Sequence, residues 1–365
     1  MPTAHDLAAL LRPELASLKA YLPHAAPEGA VRLDANESPY GLAPEVLREL
    51  LARAAEGLSL NRYPDPGCVA LREAIAARAG CSLDEVVVGN GTDEVIALIL
   101  CALSRPREGA ARATTLYPWP SFVMYRLSAL AQGVDPVAVD LDASWDLDVD
   151  AMREAHARAR PNVVFLPSPN NPTGNRYRDD RVREVVRRCD DALVLLDEAY
   201  GAFADGRYDD LRRGEGHVGQ LQTLSKIGFA AIRCGWAILP AAIAAEVNKV
   251  RQPYNVDALT QRVAVEALTR FDPWVTRSVE RVREARVELS ARLATIDGVE
   301  VTPSEANFLW VRVPDAAATH AAMLRRGVLV RSFHAQGGRM TRQLRITVGT
   351  DDENERLVAA LRASI

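Results

Sequence analysis

Short runs of β-branched and aliphatic residues alternate with amphipathic helical patterns from about residue 67 to about residue 250. The run VVVG (86–89) precedes TDEVIALILCALS, NVVFLP (162–167) precedes RDDRVREVVRRC, and ALVLLDEAY (192–200) closes the series. Strands and helices alternating at this length predict βαβ units and a mostly parallel, doubly wound sheet covered on both faces. Near residue 251 the pattern changes. Helical periodicity runs over 255–270 and 273–295, strand patterns lie at 307–313 and 343–348, and further helices are expected near 315–326 and from 351 onward. The expected organisation is a large α/β domain over 45–250 and a smaller α+β domain over 251–365, with the segment 1–44 joining the smaller one.

Ligands of open α/β sheets bind beyond the carboxyl ends of the strands. Three stretches leave such ends with unusual polar content: GNGTDE (89–94), PSPNNPTGN (167–175) and DEAY (197–200). GNGTDE lacks the third glycine and the downstream acidic residue of a dinucleotide fingerprint. It reads either as an ordinary helix start capped by Thr92, or as a helix N-terminus presenting free N–H groups at Thr92 and Asp93 to an anion. Asp197 follows five apolar residues, so it is expected near the interior, satisfied by backbone N–H groups or paired with a ligand cation. Glu198 points to the other side of the strand and is expected to be structural. SPNNPTG is a polar turn fixed by Pro172 and Gly174; it serves either as a surface turn or as part of a ligand site.

The stretch TLSK (223–226), with Arg233 seven residues after the lysine, carries two hydroxyls and two cations between IGFAAI and CGWAIL. Flanks this apolar argue against a solvated cationic face. They favour an anion such as a phosphate beside a lysine able to form a Schiff base.

Composition narrows the partners. Lys plus Arg is 44 and Asp plus Glu is 48 in 365 residues, a formal charge of −4, so nucleic acid and anionic membranes are not expected. The five cysteines (Cys68, Cys81, Cys101, Cys189 and Cys234) form no CxxC pair, and the histidines do not cluster at ligand spacing. Neither a disulfide framework nor a metal site is expected, and a reducing cytoplasm suits the chain. No signal peptide and no membrane-length apolar run is read.

In this order, GNGTDE, NNPTG, DEAY, TLSK and Arg233 resemble the fold-type I, pyridoxal 5'-phosphate-dependent aminotransferases. RLDANESPYG (32–41), NRYPDP (61–66), YNVDALTQ (254–261), SEANFLWVRV (304–313) and LRITVGTDDEN (344–354) are similar to the histidinol-phosphate aminotransferase branch. The resemblance spans nearly the whole chain. It implies Lys226 as the lysine that carries the cofactor and moves the substrate proton, and Asp197 as the partner of the pyridine nitrogen. Tyr200 and Asn171 would bond the ring's phenolic oxygen, and Phe122 would stack on the ring where many relatives have tyrosine. Gly91, Thr92, Asp93, Thr223, Ser225 and Arg233 would surround the phosphate, with Tyr63 reaching it from the second subunit of a homodimer. Arg345 and Arg331 would bind substrate anions, and Tyr21 and Asn36 would line the substrate site. The reaction implied is amino transfer between histidinol phosphate and 2-oxoglutarate, with glutamate and imidazole-acetol phosphate as products. Amino transfer to aromatic keto acids and decarboxylation of an amino-acid phosphate are the alternatives among related branches.

Overall fold

The computed structural model describes residues 10–13 and 27–365. Among the described residues, β1 (Val31–Leu33), α1 (Pro44–Ala55) and α2 (Val69–Ala79) precede the large sheet. An alternating series follows: β2 (Val86–Asn90), α3 (Gly91–Ala102), β3 (Thr114–Trp119), α4 (Met124–Gln132), β4 (Asp135–Asp140), α5 (Val149–Ala159), β5 (Val163–Pro167), α6 (Asp179–Arg188), β6 (Leu193–Asp197), α7 (Asp209–Gly214) and β7 (Val218–Thr223). Then come β8 (Cys234–Ile238) and the helices α8 (Ala241–Val250), α9 (Ala258–Leu268) and α10 (Asp272–Ala294). The chain ends with β9 (Glu300–Thr302), β10 (Phe308–Arg312), α11 (Ala316–Arg325), β11 (Val328–Ser332), β12 (Gln343–Thr347) and α12 (Asp351–Arg362).

Strands β2 to β8 form one sheet in the order β2-β8-β7-β6-β5-β3-β4. The pairs β3/β4, β3/β5, β5/β6 and β6/β7 are parallel, whereas β8 runs antiparallel to both β2 and β7. All residues of β5 and β6 are buried, as expected for strands covered by helices on both faces. Every one of them is apolar except Asp197. Burying a large aliphatic side chain is worth about 1.5–3 kcal/mol, so a charge at that position works against its surroundings.

The second sheet has the order β1-β11-β12-β10-β9, in which β1 lies parallel to β11 and the remaining pairs are antiparallel. The strands expected at 307–313 and 343–348 are β10 and β12, and the expected helices from 255 onward are α9 to α12. One apolar cluster runs through Leu50, Leu71, Val263, Leu289, Phe308 and Ile346, so the elements on either side of residue 250 share a core. Among the described residues, no helix is long and apolar enough to cross a membrane, and no group of side chains could hold a metal ion.

Candidate active site

Asn90, Trp119, Pro167, Asp197 and Thr223 are the last residues of β2, β3, β5, β6 and β7, and Cys234 is the first of the reversed strand β8. These strand ends therefore meet at one edge of the sheet, where α/β proteins bind ligands. A cavity of about 760 Å³ opens there. Thr92, Asp93, Phe122, Asn171, Asp197, Tyr200, Thr223, Ser225, Lys226 and Arg233 line it from the large sheet, and Asn36, Arg331 and Arg345 line it from the small one.

One end of the cavity is built by α3 and the β7–β8 connection. The helix begins at Gly91 with Asn90 as N-cap, and no side chain caps it, so the reading of Thr92 as N-cap is corrected: Thr92 sits inside the first turn. First-turn N–H groups have no partner within a helix. Ser225 N–H donates to Thr223 Oγ1 at 3.0 Å, and Arg233 Nη1 donates to Ser225 Oγ at 3.3 Å. Arg233 Nη2 lies 3.4 Å from Asp93 Oδ2, a long contact that leaves the guanidinium capacity for another anion. Two glycines make this packing possible. A Cβ on Gly91, whose φ is +76°, would stand 2.6 Å from Arg233 Nη2, and one on Gly235 would stand 2.4 Å from the Thr92 nitrogen. Arg233 itself has a φ of +52°, uncommon for a side-chain-bearing residue and typical of strained functional positions.

Asp197 forms the deepest polar point. Tyr125 Oη donates to its Oδ2 at 2.6 Å, and the Ala199 N–H donates to its Oδ1 at 3.0 Å. Burial pushes the carboxyl up from the usual carboxylate range, while these two donors and the nearby Lys226 charge pull it back. A cation placed in the cavity beside Asp197 would relieve that cost. Tyr125, stacked on Phe165 at 4.4 Å, has its own hydroxyl raised well above the ordinary tyrosine range by burial and by Asp197. Glu198 faces away, as expected. It accepts from the Tyr208 N–H and pairs with Arg207, and it does not line the cavity.

Lys226 is half-buried between buried Ser225 and Ile227, with Nζ 5.8 Å from the centre of the Tyr200 ring. Among the described residues its ammonium has no hydrogen-bond or ion-pair partner, which is unusual for a lysine drawn into a protein. Tyr200 Oη accepts from Asn36 Nδ2 at 2.9 Å, and Asn171 Oδ1 accepts from Arg345 Nη1 at 2.6 Å. Two strips of the chain far apart in sequence are thereby tied around one space.

Arg331 and Arg345 are direct cross-strand partners in the antiparallel pair β11/β12, so both project from one face. Arg345 also donates to the Asp34 carbonyl at 2.5 Å, whereas Arg331 makes no ion pair among the described residues. Like charges directly opposite one another on a sheet are unfavourable unless an anion lies between them.

Three expected site residues stand apart. Gly91 lies behind the lining and acts through its packing against Arg233. Tyr63 is 81% exposed and stacks on Tyr254 with ring centres 4.5 Å apart, outside this chain's own cavity. Tyr21 lies outside the described residues. The cavity also recruits residues that sequence reasoning passed over: Ser121, Tyr125, Arg126, Phe333 and Gln336. Tyr125 reads as an ordinary apolar helix position, so nothing in its local pattern announces a bond to Asp197.

The donor set fits pyridoxal phosphate. A cluster of amides, hydroxyls and arginine could take a phosphate dianion. A buried carboxylate could take a protonated ring nitrogen, a phenyl face could stack on the ring, and an unpaired lysine could take the aldehyde. The buried Ser121 hydroxyl, which lines the same cavity without a partner among the described residues, leaves polar capacity to spare.

Known proteins place the chain in a family. The aminotransferase class I and II family matches residues 28–361. Histidinol-phosphate aminotransferases from Chromobacterium violaceum and Paracidovorax citrulli are 42% and 40% identical to this chain, each over 97% of both sequences. The crystal structure of histidinol-phosphate aminotransferase from Sinorhizobium meliloti in complex with pyridoxal-5'-phosphate superposes with a TM-score of 0.81 over 97% of each chain, at 24% identity. The chain therefore belongs to the class I and II aminotransferase family, which depends on pyridoxal phosphate, and groups within it with the histidinol-phosphate aminotransferases.

Proposed function

We propose that this protein transfers the amino group of histidinol phosphate to 2-oxoglutarate, working as a homodimer. The observation that carries the substrate assignment is the facing pair Arg331 and Arg345 on the side of the cavity contributed by the small sheet. The two substrates take the site in turn. Glutamate brings carboxylates, and histidinol phosphate brings a phosphate and no carboxylate. A guanidinium fork binds either group in a bidentate way.

When bound, pyridoxal phosphate supplies an aldehyde for the amino group and a ring that accepts electron density. The protein supplies the rest. The α3 N-terminus, Ser225, Thr223 and Arg233 would anchor the phosphate, and Phe122 would cover a ring face. Asp197 would pair with the ring nitrogen and favour a proton there, an arrangement that would offset the cost of burying its carboxylate. Tyr125 and the Ala199 N–H, already bonded to that carboxylate, fix its orientation. Tyr200 and Asn171 orient the phenolic oxygen. Lys226 Nζ would hold the aldehyde group and is the side chain placed to move the proton of the substrate's amine-bearing carbon. Arg345, braced by Asn171 and the Asp34 carbonyl, receives the α-carboxylate of glutamate. Arg331 adds the cation needed for the phosphate or the distal carboxylate, and Asn36 closes the wall beside Tyr200.

A steady-state panel with glutamate as donor tests the reaction. Imidazole-acetol phosphate should give a higher kcat/KM than phenylpyruvate, and threonine phosphate should release no carbon dioxide. Preference for phenylpyruvate would replace this reading with the aromatic one. Arg331→Ala should lower kcat/KM for histidinol phosphate by roughly ten- to a hundredfold, the loss of one charge-assisted bond of about 1.5–3 kcal/mol. Unchanged kinetics in that variant would remove Arg331 from the phosphate site.

The dimer rests on a separate observation. Leu47, Leu51, Leu60, Tyr63, Val69, Tyr254 and Leu259 are all exposed, on α1, α9, the start of α2 and the chain adjoining α1 and α9. Exposed apolar residues gathered on one region mark an interaction surface, and Tyr63 lies on it, free to complete a neighbour's phosphate site. After dissociation and reassociation, Lys226→Ala chains mixed with impaired Tyr63→Ala chains should recover part of the wild-type activity. An active species that sediments as a single chain would refute the composite site.

A further inference from the structure

The segment joining β11 to β12, SFHAQGGRMTR (332–342), carries Phe333 and Gln336 into the cavity lining and then turns away through two glycines. Gly337 and Gly338 both have positive φ, +74° and +53°. A Gly-Gly turn costs more backbone entropy to order than any other pair, so the segment needs an anchor. Arg339 is placed to provide it. Its Nη1 and Nη2 donate to the carbonyls of Leu141 and Asp142 at 2.8 and 2.7 Å, across from the other sheet. Its guanidinium lies 4.0 Å above the Trp145 ring. Trp145 meets Trp310 edge-on at 5.9 Å, and Trp310 meets Phe333 edge-on at 4.9 Å. The Phe333 ring centre lies 6.0 Å from the Arg345 guanidinium.

We propose that Arg339 is a positioning residue for substrate binding: it pins the β11–β12 segment to the loop after β4 and, through Trp145, Trp310 and Phe333, sets the wall beside Arg345. This inference rests on the amino-transfer reading of the cavity and goes beyond it, because Arg339 lines no part of the cavity and touches no reacting group. The contact joins the two sheets behind the lining residue Phe333, so its loss should loosen the substrate side and leave the phosphate cradle and Asp197 in place.

The test compares wild type with Arg339→Met, which keeps an apolar stem over Trp145, and Arg339→Lys, a point charge without a planar fork. Each is assayed as holoenzyme with the amino donor that wild type uses best. Arg339→Met should raise KM about tenfold with kcat held within about twofold, the signature of lost ground-state alignment, and Arg339→Lys should fall between. Cofactor affinity, followed by absorbance on titration, should not change. Acrylamide should quench the tryptophan fluorescence of the Met variant more strongly than that of wild type, a readout that needs no turnover. A wild-type KM and unchanged quenching in Arg339→Met would overturn the proposal, as would a fall in kcat accompanied by cofactor loss. If wild type prefers a donor other than histidinol phosphate, the substrate reading fails while the Arg339 comparison, made with that donor, still decides.

Discussion

Lys226→Ala protein turns over at least about 10⁴-fold more slowly than wild type, the upper range for loss of a positioned general base alone, and borohydride traps no cofactor on it. Two properties of the site lead to this expectation. Among the described residues Lys226 has no hydrogen-bond or ion-pair partner, although it lines the cavity between buried Ser225 and Ile227. It also lies on the same short connection as Ser225 and Arg233, so an anion held by those groups presents the rest of its molecule to the lysine. The variant should keep its fold, since the side chain makes no structural hydrogen bond among the described residues. Full activity with alanine at this position would remove Lys226 from the chemistry.

The second large effect belongs to Asp197. Breaking a buried charge pair by removing one member costs about 3–5 kcal/mol, which corresponds to roughly 10²–10⁴ in rate if the pair matters in the transition state. Asp197→Ala should lose kcat in that range while still binding some cofactor through the phosphate cradle. The sign of the apo-protein's pH response follows from burial. Because the folded carboxyl is raised above its unfolded value, the native state holds more protons than the unfolded state, and Asp197 makes the apo-protein less stable as pH rises above the usual carboxylate range. A bound cofactor would offset this by supplying a cation. Thermal denaturation with and without pyridoxal phosphate should therefore show a gain on binding that rises from pH 4 to neutral pH more steeply for wild type than for Asp197→Ala. Near-wild-type rates in the alanine variant would reduce Asp197 to a structural role.

Strands with continuous apolar content were legible. VVVG, NVVFLP and ALVLLDEAY predict β2, β5 and β6 to within a few residues, because strands buried on both faces need no polar alternation. Those that escaped break that rule. β7 reads VGQLQT and hides Gln220 by bonding it to Asp209, while β8 begins with Cys and Gly. β11, which carries Arg331, offers only three apolar residues before its charge. The site was legible in the same measure. Lys226, Asp197 and Arg233 betray themselves as polar groups where apolar ones are expected. Tyr125 and Arg339 do not, because each looks ordinary in its own segment and gains its role from a partner distant in sequence, Asp197 or the loop after β4.

The reversed direction of β8 governs how freely this site can vary. Thr223 pairs with Gly235 across the ladder, and the Leu224 N–H bonds to the Cys234 carbonyl at 3.1 Å, so the connection closes on itself at its base. Lys226 stands just past one post of that gateway and Arg233 just before the other. The ladder fixes where the connection leaves and re-enters the sheet, and Ile227 and Phe229 within it are buried in the core, so its ends and its interior are both held. The Thr223–Gly235 register, with no room for a Cβ on Gly235 against Thr92, is thus an intolerant dimension of the protein.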